Sequence, residues 1–310
     1  MTVANKLWTE FYRPTTINEY VFTDNNLKEQ VNAWIEQKTI PHLLLYGPAG
    51  TGKTTLAKIL VNQLEIDGFD FLQVNASRDN GVDFLKNKIE GFVSTIPFGD
   101  LKIVLLDEAD YLSQPAQGIL RGLLETYAAN ARFIMTCNLH HKIIPPLKSR
   151  CTEIHIDKTD PVEFTERVAQ ILLNENIDFN LEVLDTYVKA TYPDLRKCLN
   201  LLQTNSVTGQ LRIIAHDQST TDDYRIAMVD LFKKRNYKAA RQLLCSQARP
   251  EEMEDIFRWA YDNLDIWSSS EEGQDEAILI IRKALIHHSQ VGDPEINLSA
   301  CLIELSQIDK

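Results

Sequence analysis

The nine residues Gly47-Pro48-Ala49-Gly50-Thr51-Gly52-Lys53-Thr54-Thr55 follow directly on the apolar run His42-Leu43-Leu44-Leu45-Tyr46 and satisfy the pattern GxxxxGK[ST]. The glycines let the backbone curl so that successive N–H groups face one anion. Lys53 can then reach the β and γ phosphates, and the Thr54 hydroxyl can ligate Mg2+. A helix expected from Lys53 to Leu64 adds the positive end of its dipole. The loop, from Gly47 and Pro48 through Gly50, Thr51, Gly52, Lys53 and Thr54 to Thr55, is therefore built for a nucleoside triphosphate.

Binding alone does not hydrolyse. A second constellation, Lys102-Ile103-Val104-Leu105-Leu106-Asp107-Glu108-Ala109-Asp110, places two carboxylates at the end of an apolar strand. Asp107 can hold the metal shell and Glu108 can orient and deprotonate an attacking water. The next apolar run, Arg132-Phe133-Ile134-Met135-Thr136-Cys137-Asn138, ends in an amide at Asn138 that could hold that water. In Ile144-Pro145-Pro146-Leu147-Lys148-Ser149-Arg150-Cys151, two prolines stiffen the chain ahead of Arg150. A guanidinium from a neighbouring subunit stabilises metaphosphate-like charge by roughly 10³ to 10⁵ in rate.

These residues need a frame that collects strand ends. Five short apolar runs supply it: Leu43 to Tyr46, Phe69 to Val74, Ile103 to Leu106, Phe133 to Thr136 and Glu153 to Ile156. Near-continuous apolarity, not alternation, marks strands buried on both faces of a parallel sheet, whose ligands bind at the carboxyl ends. The expected architecture is an α/β parallel-sheet domain over residues 1–157. A three-helix unit over 158–207 opens at Asp160-Pro161-Val162-Glu163, with an N-cap, a first-turn proline and a reciprocal glutamate. A polar connector over 208–221 and an all-helical domain over 222–310 complete the expected chain.

Composition bounds the partners. The five cysteines, Cys137, Cys151, Cys198, Cys245 and Cys301, have no CxxC spacing and read as reduced thiols. The net charge of −12 argues against wholesale coating of nucleic acid. Residues 1–157 hold 15 Lys+Arg against 18 Asp+Glu, only −3 of that total, so any nucleic-acid surface is to be sought in this half. No run approaches the roughly 20 apolar residues of a membrane span, and Met1 to Glu10 lacks a secretory stretch, so a cytoplasmic location without membrane association is expected.

The order and spacing of the four constellations resemble those of the AAA+ ATPases. Further residues narrow the resemblance to the sliding-clamp loaders: Trp8-Thr9-Glu10-Phe11-Tyr12-Arg13-Pro14, Asn75-Ala76-Ser77, Ala116-Gln117 with Leu120-Arg121, Ser149-Arg150-Cys151 and Pro193-Asp194-Leu195-Arg196-Lys197. It covers roughly residues 7 to 205. The acidic helical remainder is similar in layout to the large ATPase subunits of T4-type phage clamp loaders, which would mean the host cytoplasm.

The resemblance implies ATP and Mg2+ as ligands, with Thr54 and Asp107 on the metal. Glu10, Phe11, Tyr12, Arg13, Pro14 and Val21 would frame adenine and ribose. Asn138 and, on a helical lid, Arg196 would sense the γ phosphate, while Arg150 would enter the adjacent subunit's site. Arg78, Lys86, Lys88 and Arg121 would follow the template backbone. The implied partners are other ATPase subunits in a homo-oligomer with a distinct smaller subunit, held by the C-terminal collar, together with a sliding clamp and primer-template DNA. The expected function is a clamp loader in DNA replication, in which ATP binding opens the clamp and hydrolysis releases it on DNA. A helicase loader or branch-migration motor, and a phosphate-loop binding module without turnover, stay open alternatives at this point.

Overall fold

The computed structural model describes residues 6–22, 24–78, 81–212, 224–248, 252–288 and 290–308. Residues 213–221 of the expected connector lie outside the described residues. Five strands form one sheet: β1 (Leu43–Tyr46), β2 (Phe71–Asn75), β3 (Lys102–Asp107), β4 (Ala131–Cys137) and β5 (Thr152–His155). Their order is β2-β3-β4-β1-β5 and every pairing is parallel. Consecutive side chains on a strand point to opposite faces, and here each face meets its own helices. Leu44, Val104, Leu106, Phe133 and Met135 pack with Leu120, Leu123 and Leu124. Leu43, Leu45, Ile103, Leu105 and Ile134 pack with Val31, Leu56 and Leu60. Those partners belong to the helices α1 (Asn25–Glu36), α2 (Lys53–Gln63) and α3 (Gln114–Thr126). Burial on both faces is why the strands read as unbroken apolar runs.

The chain packs as two units. One holds Met1–Arg167 with Pro193–Leu199, and the other holds Val168–Tyr192 with Asn200–Lys310. The segment 158–207, expected as one lid, contributes to both through α4 (Pro161–Asn174), α5 (Leu181–Thr191) and α6 (Leu195–Asn205). The second unit continues with α7 (Tyr224–Lys233), α8 (Tyr237–Gln247), α9 (Met253–Asp262), α10 (Glu271–His288) and α11 (Pro294–Leu305). Its core is aromatic: Trp267 meets Phe232 edge-on at 5.0 Å and donates its indole N–H to the Ala260 carbonyl at 2.9 Å. No helix among the described residues is long and apolar enough to cross a membrane.

One helical stretch departs from the expected period. Between Val82 and Val93 the chain runs as a short α turn, a π-helical segment over Leu85–Glu90 and another α turn. Leu85 and Ile89 stay fully buried against the sheet while Lys86 and Lys88 face outward. The wider π turns carry Lys86 and Lys88, two of the expected nucleic-acid contacts.

Candidate active site

The carboxyl ends of β1, β3 and β4 open into a cavity of about 260 Å³ within the first unit. Ala49 to Thr55, Asp107, Glu108, Thr136, Cys137 and Asn138 are among the residues that line it. Here β1 lies between strands from opposite directions of the sheet order, the crevice position where α/β sheets take ligands. The loop after β1 can turn so tightly because of its glycines. A Cβ on Gly47, at φ +149°, would stand 2.1 Å from the Ile156 carbonyl oxygen. A Cβ on Gly50, at φ +79°, would stand 2.6 Å from Asp194 Oδ1.

Lys53 opens α2 and is buried. Its ammonium donates to the carbonyls of Gly47 at 2.9 Å and Pro48 at 2.6 Å. Desolvation pulls its pKa below the usual lysine value, with Cys137, Asp110 and Asp107 acting the other way. A phosphate chain would supply at hydrogen-bond distance the negative charge that two carbonyls do not, so the cradle fits a polyphosphate.

The two residues expected on the metal already touch. Thr54 Oγ1 donates to Asp107 Oδ1 at 2.7 Å, and these are hard oxygen donors of the kind Mg2+ selects. Leu106 pairs with Met135 across β3 and β4, so Asp107 and Thr136 lie side by side. The Thr136 hydroxyl donates to Asp107 Oδ1 and accepts the Glu108 N–H at 3.1 Å. Glu108 sits in the left-handed region at φ +59°, uncommon for a non-glycine residue and typical of strained functional positions. Thr136 is therefore a site residue that the sequence reading passed over. Its signal was a hydroxyl inside an otherwise apolar strand run.

Asp110 ties the same turn to the next strand end. It is buried, and its Oδ2 accepts the Leu139 N–H at 3.1 Å, one residue after Asn138. Cys137 borders the same region, and burial pushes its thiol up to about 12, with the Asp110 carboxylate adding to the rise. It is an inert neighbour at physiological pH.

Tyr12, Arg13, Pro14, Tyr20 and Val21 also line the cavity. Arg13 Nε reaches Thr55 Oγ1 at 3.3 Å, and burial lifts the Tyr20 phenol well above its usual value. Glu10 and Phe11 are not brought to the cavity. Glu10 instead pairs with Arg13 at 3.0 Å, and Phe11 turns outward beneath the Lys6 ammonium at 4.4 Å. Pro193, Leu195, Arg196 and Leu199 also line the cavity, with Thr159, Glu163 and Arg167, whose Nη2 donates to the Tyr12 carbonyl at 3.2 Å. Arg150 does not line the cavity: its guanidinium pairs with Glu125 on α3. The candidate nucleic-acid contacts Arg78, Lys86, Lys88 and Arg121 are all exposed, and the π-helical segment that carries Lys86 and Lys88 packs on α3, which carries Arg121.

Residues 43–159 match the model of the ATPase family associated with various cellular activities (AAA). The replication factor C small subunit of Sulfurisphaera tokodaii is 38% identical over 213 residues, 67% of this chain and 65% of that protein. The same subunit of Saccharolobus solfataricus is 38% identical over 217 residues, 69% of this chain and 66% of the relative. These matches span just under two thirds of both relatives. A replication factor C small subunit of Methanococcus maripaludis is 32% identical over 282 residues, 90% of this chain and 85% of that protein. Among solved structures, a mutant of Thermotoga maritima RuvB superposes with a TM-score of 0.56 at 17% identity, covering 80% of this chain and 81% of that one. That likeness is one of fold.

Proposed function

The chain belongs to the replication factor C small-subunit family, and on that premise we propose that it is an ATPase subunit of a sliding-clamp loader in DNA replication. The observation that carries the reading is the Thr54–Asp107–Thr136–Glu108 network at the mouth of the phosphate loop. In this reading Lys53 binds the β and γ phosphates, and Thr54 and Asp107 would hold Mg2+. Bound there, the ion would supply Lewis-acid neutralisation of the developing phosphate charge. Glu108 takes the proton of the attacking water, Asn138 holds that water, and Arg196 touches the γ phosphate from the same chain. Water adds to the γ phosphorus, the bond to the bridging oxygen breaks, and ADP and phosphate leave. Arg150, fixed outside its own cavity, completes the site of a neighbour, which makes the working unit an oligomer of ATPase subunits with a smaller partner subunit.

Tyr12, Arg13, Pro14 and Val21 frame the base and ribose, with Glu10 acting through Arg13. Exposed Arg78, Lys86, Lys88 and Arg121 take duplex phosphates without reading sequence. Phe69, Ile96 and Phe98 are each at least 75% exposed, with the two rings 5.5 Å apart, an apolar surface of the kind a protein partner covers. We assign residues 1–157 to the ATPase domain, 158–207 to the lid, 208–221 to the connector and 222–310 to the oligomerising collar, and place the protein in the cytoplasm. The acidic all-helical C-terminal part supports the finer reading, the large ATPase subunit of a T4-type phage clamp loader.

The test is transfer of a labelled ring clamp onto a closed-ended primer-template by the assembled complex. Clamp retention that requires hydrolysable ATP supports the reading. Strand displacement without clamp transfer would put a remodelling motor in its place.

A further inference from the structure

We propose that Glu125 is the positioning residue for Arg150, holding its guanidinium in the orientation it presents to the neighbouring subunit's ATP site. The proposal rests on the reading of Arg150 as a group that acts in trans. A free arginine side chain samples many rotamers, and ordering it at the moment of reaction would subtract from what its charge contributes. Here that ordering is already done. Nε and Nη2 both donate to Glu125 Oε1, while Nη1 donates to the Pro146 carbonyl at 2.6 Å and to Ser149 Oγ at 3.3 Å. All three guanidinium nitrogens are engaged, yet the side chain keeps 34% of its surface exposed and stays clear of its own cavity.

The element that presents Glu125 also templates the rest of the arginine's segment. Gln117, Arg121 and Glu125 stand four residues apart on α3, on one stripe of the helix. The Gln117 amide, which is buried, donates to the carbonyls of Leu112 and Lys142 at 3.1 Å each and accepts the Ile144 N–H at 2.8 Å. The turn Pro145–Lys148 packs on the same helix. Thus α3 grips residues 142–150 at one end through Gln117 and at the other through Glu125. Glu125 does not line its own cavity, so its effect belongs to the adjacent site, and a half-exposed ion pair contributes little to stability.

The experiment uses mixed oligomers in which only one kind of interface can turn over. Lys53→Ala subunits donate the arginine but cannot hydrolyse, and Arg150→Ala subunits hydrolyse only with a borrowed arginine. Recovery in that mixture tests the trans reading itself; no recovery removes that reading and the proposal with it. Given recovery, adding Glu125→Gln to the Lys53→Ala subunit should lower kcat about fivefold at unchanged KM for ATP, and Glu125→Ala should lower it further. Adding Glu125→Gln to the Arg150→Ala subunit instead should leave the rate within about twofold, because that subunit has no arginine to position. Equal losses in the two arrangements would make Glu125 a structural residue of its own site. An unchanged or raised rate in the first arrangement would equally overturn the proposal. Native mass spectrometry of each mixture confirms that assembly is the same.

Discussion

Replacing Thr136 by Val keeps the side-chain volume and removes one hydroxyl that serves two groups. The Glu108 N–H loses its acceptor at 3.1 Å, and Asp107 loses one of two hydroxyl donors while keeping Thr54 at 2.7 Å. A hydrogen bond to a charged group is worth about 1.5–3 kcal/mol, and an orphaned buried N–H costs about 1–3 kcal/mol. Asp107 and Glu108 are only half-buried, so water recovers part of both, and the low ends apply. The expected destabilisation of the first unit is about 2.5 kcal/mol. The catalytic effect should be larger than the structural one. Glu108 holds a left-handed backbone at φ +59° that costs about 1–3 kcal/mol to maintain, and Thr136 is one of its anchors. Relaxation of that turn would displace the carboxylate, and a shift on the order of 1 Å can cost about 10²-fold in rate. We therefore expect kcat to fall about 10- to 100-fold while nucleotide affinity stays within about threefold, since Lys53 and Thr54 remain. Denaturant midpoints at constant slope, steady-state turnover and fluorescent-nucleotide binding read the three quantities. Thr136→Ser, which keeps the hydroxyl, should restore most of each. A Val variant within about 0.5 kcal/mol and twofold of the parent would refute the network's role.

Three further outcomes follow from other parts of the molecule. Lys102 and Asp70 form a buried pair at 3.3 Å, with the Gly99 N–H on the second Asp70 oxygen at 2.7 Å, so Lys102→Met should cost about 3–5 kcal/mol by stranding a carboxylate; adding Asp70→Asn should return part of that loss in the same unfolding assay. His42 is held neutral, its pKa lowered from 6.5 to about 4 chiefly by burial and then by Arg132, and its Nδ1 accepts the Phe133 N–H at 3.2 Å. The unfolded chain therefore takes the proton first, and stability should be full above about pH 6.5 and fall by about 1–2 kcal/mol, after discounting for partial exposure, as pH drops towards 4; His42→Gln should flatten that limb of the pH–stability curve. Replacing Arg78, Lys86 and Lys88 together by Ala should weaken primer-template binding alike for unrelated sequences and reduce the slope of log affinity against log salt by about 0.9 per true contact. An unchanged slope would leave those side chains as a solvated helix face and shift attention to Arg121.

The legible parts of the molecule share one property: their cause is local. The strands around Leu43–Tyr46 and Lys102–Asp107 could be read because burial on both faces demands unbroken apolar runs, and the phosphate loop because its glycines serve a backbone turn written in nine consecutive residues. Where local character and tertiary role part, the reading slips. Phe69 looked like the start of a strand, yet Asp67 accepts its N–H at 2.8 Å in a short turn, the side chain is exposed, and β2 begins at Phe71. The π-helical segment Leu85–Glu90 carries no compositional mark, because its register is set by seating Leu85 and Ile89 in the core. Glu10 and Phe11 belong to a motif that reaches the cavity, but their side chains leave it and Tyr12 to Pro14 remain. Thr136 and Glu125 gained their partners from strand register and helix packing 25 or more residues away, which no spacing rule displays.

The central claim is that this cavity turns over ATP with Glu108 as the base, and the most direct measurement compares binding with turnover in Glu108→Gln. The amide keeps the side chain's size and leaves Lys53, Thr54 and Asp107 in place, so ATP affinity in the presence of Mg2+ should match the parent. Steady-state hydrolysis, measured with and without primer-template DNA, should fall by roughly 10²-fold or more. Near-parental hydrolysis in the Gln variant would contradict the account at its root.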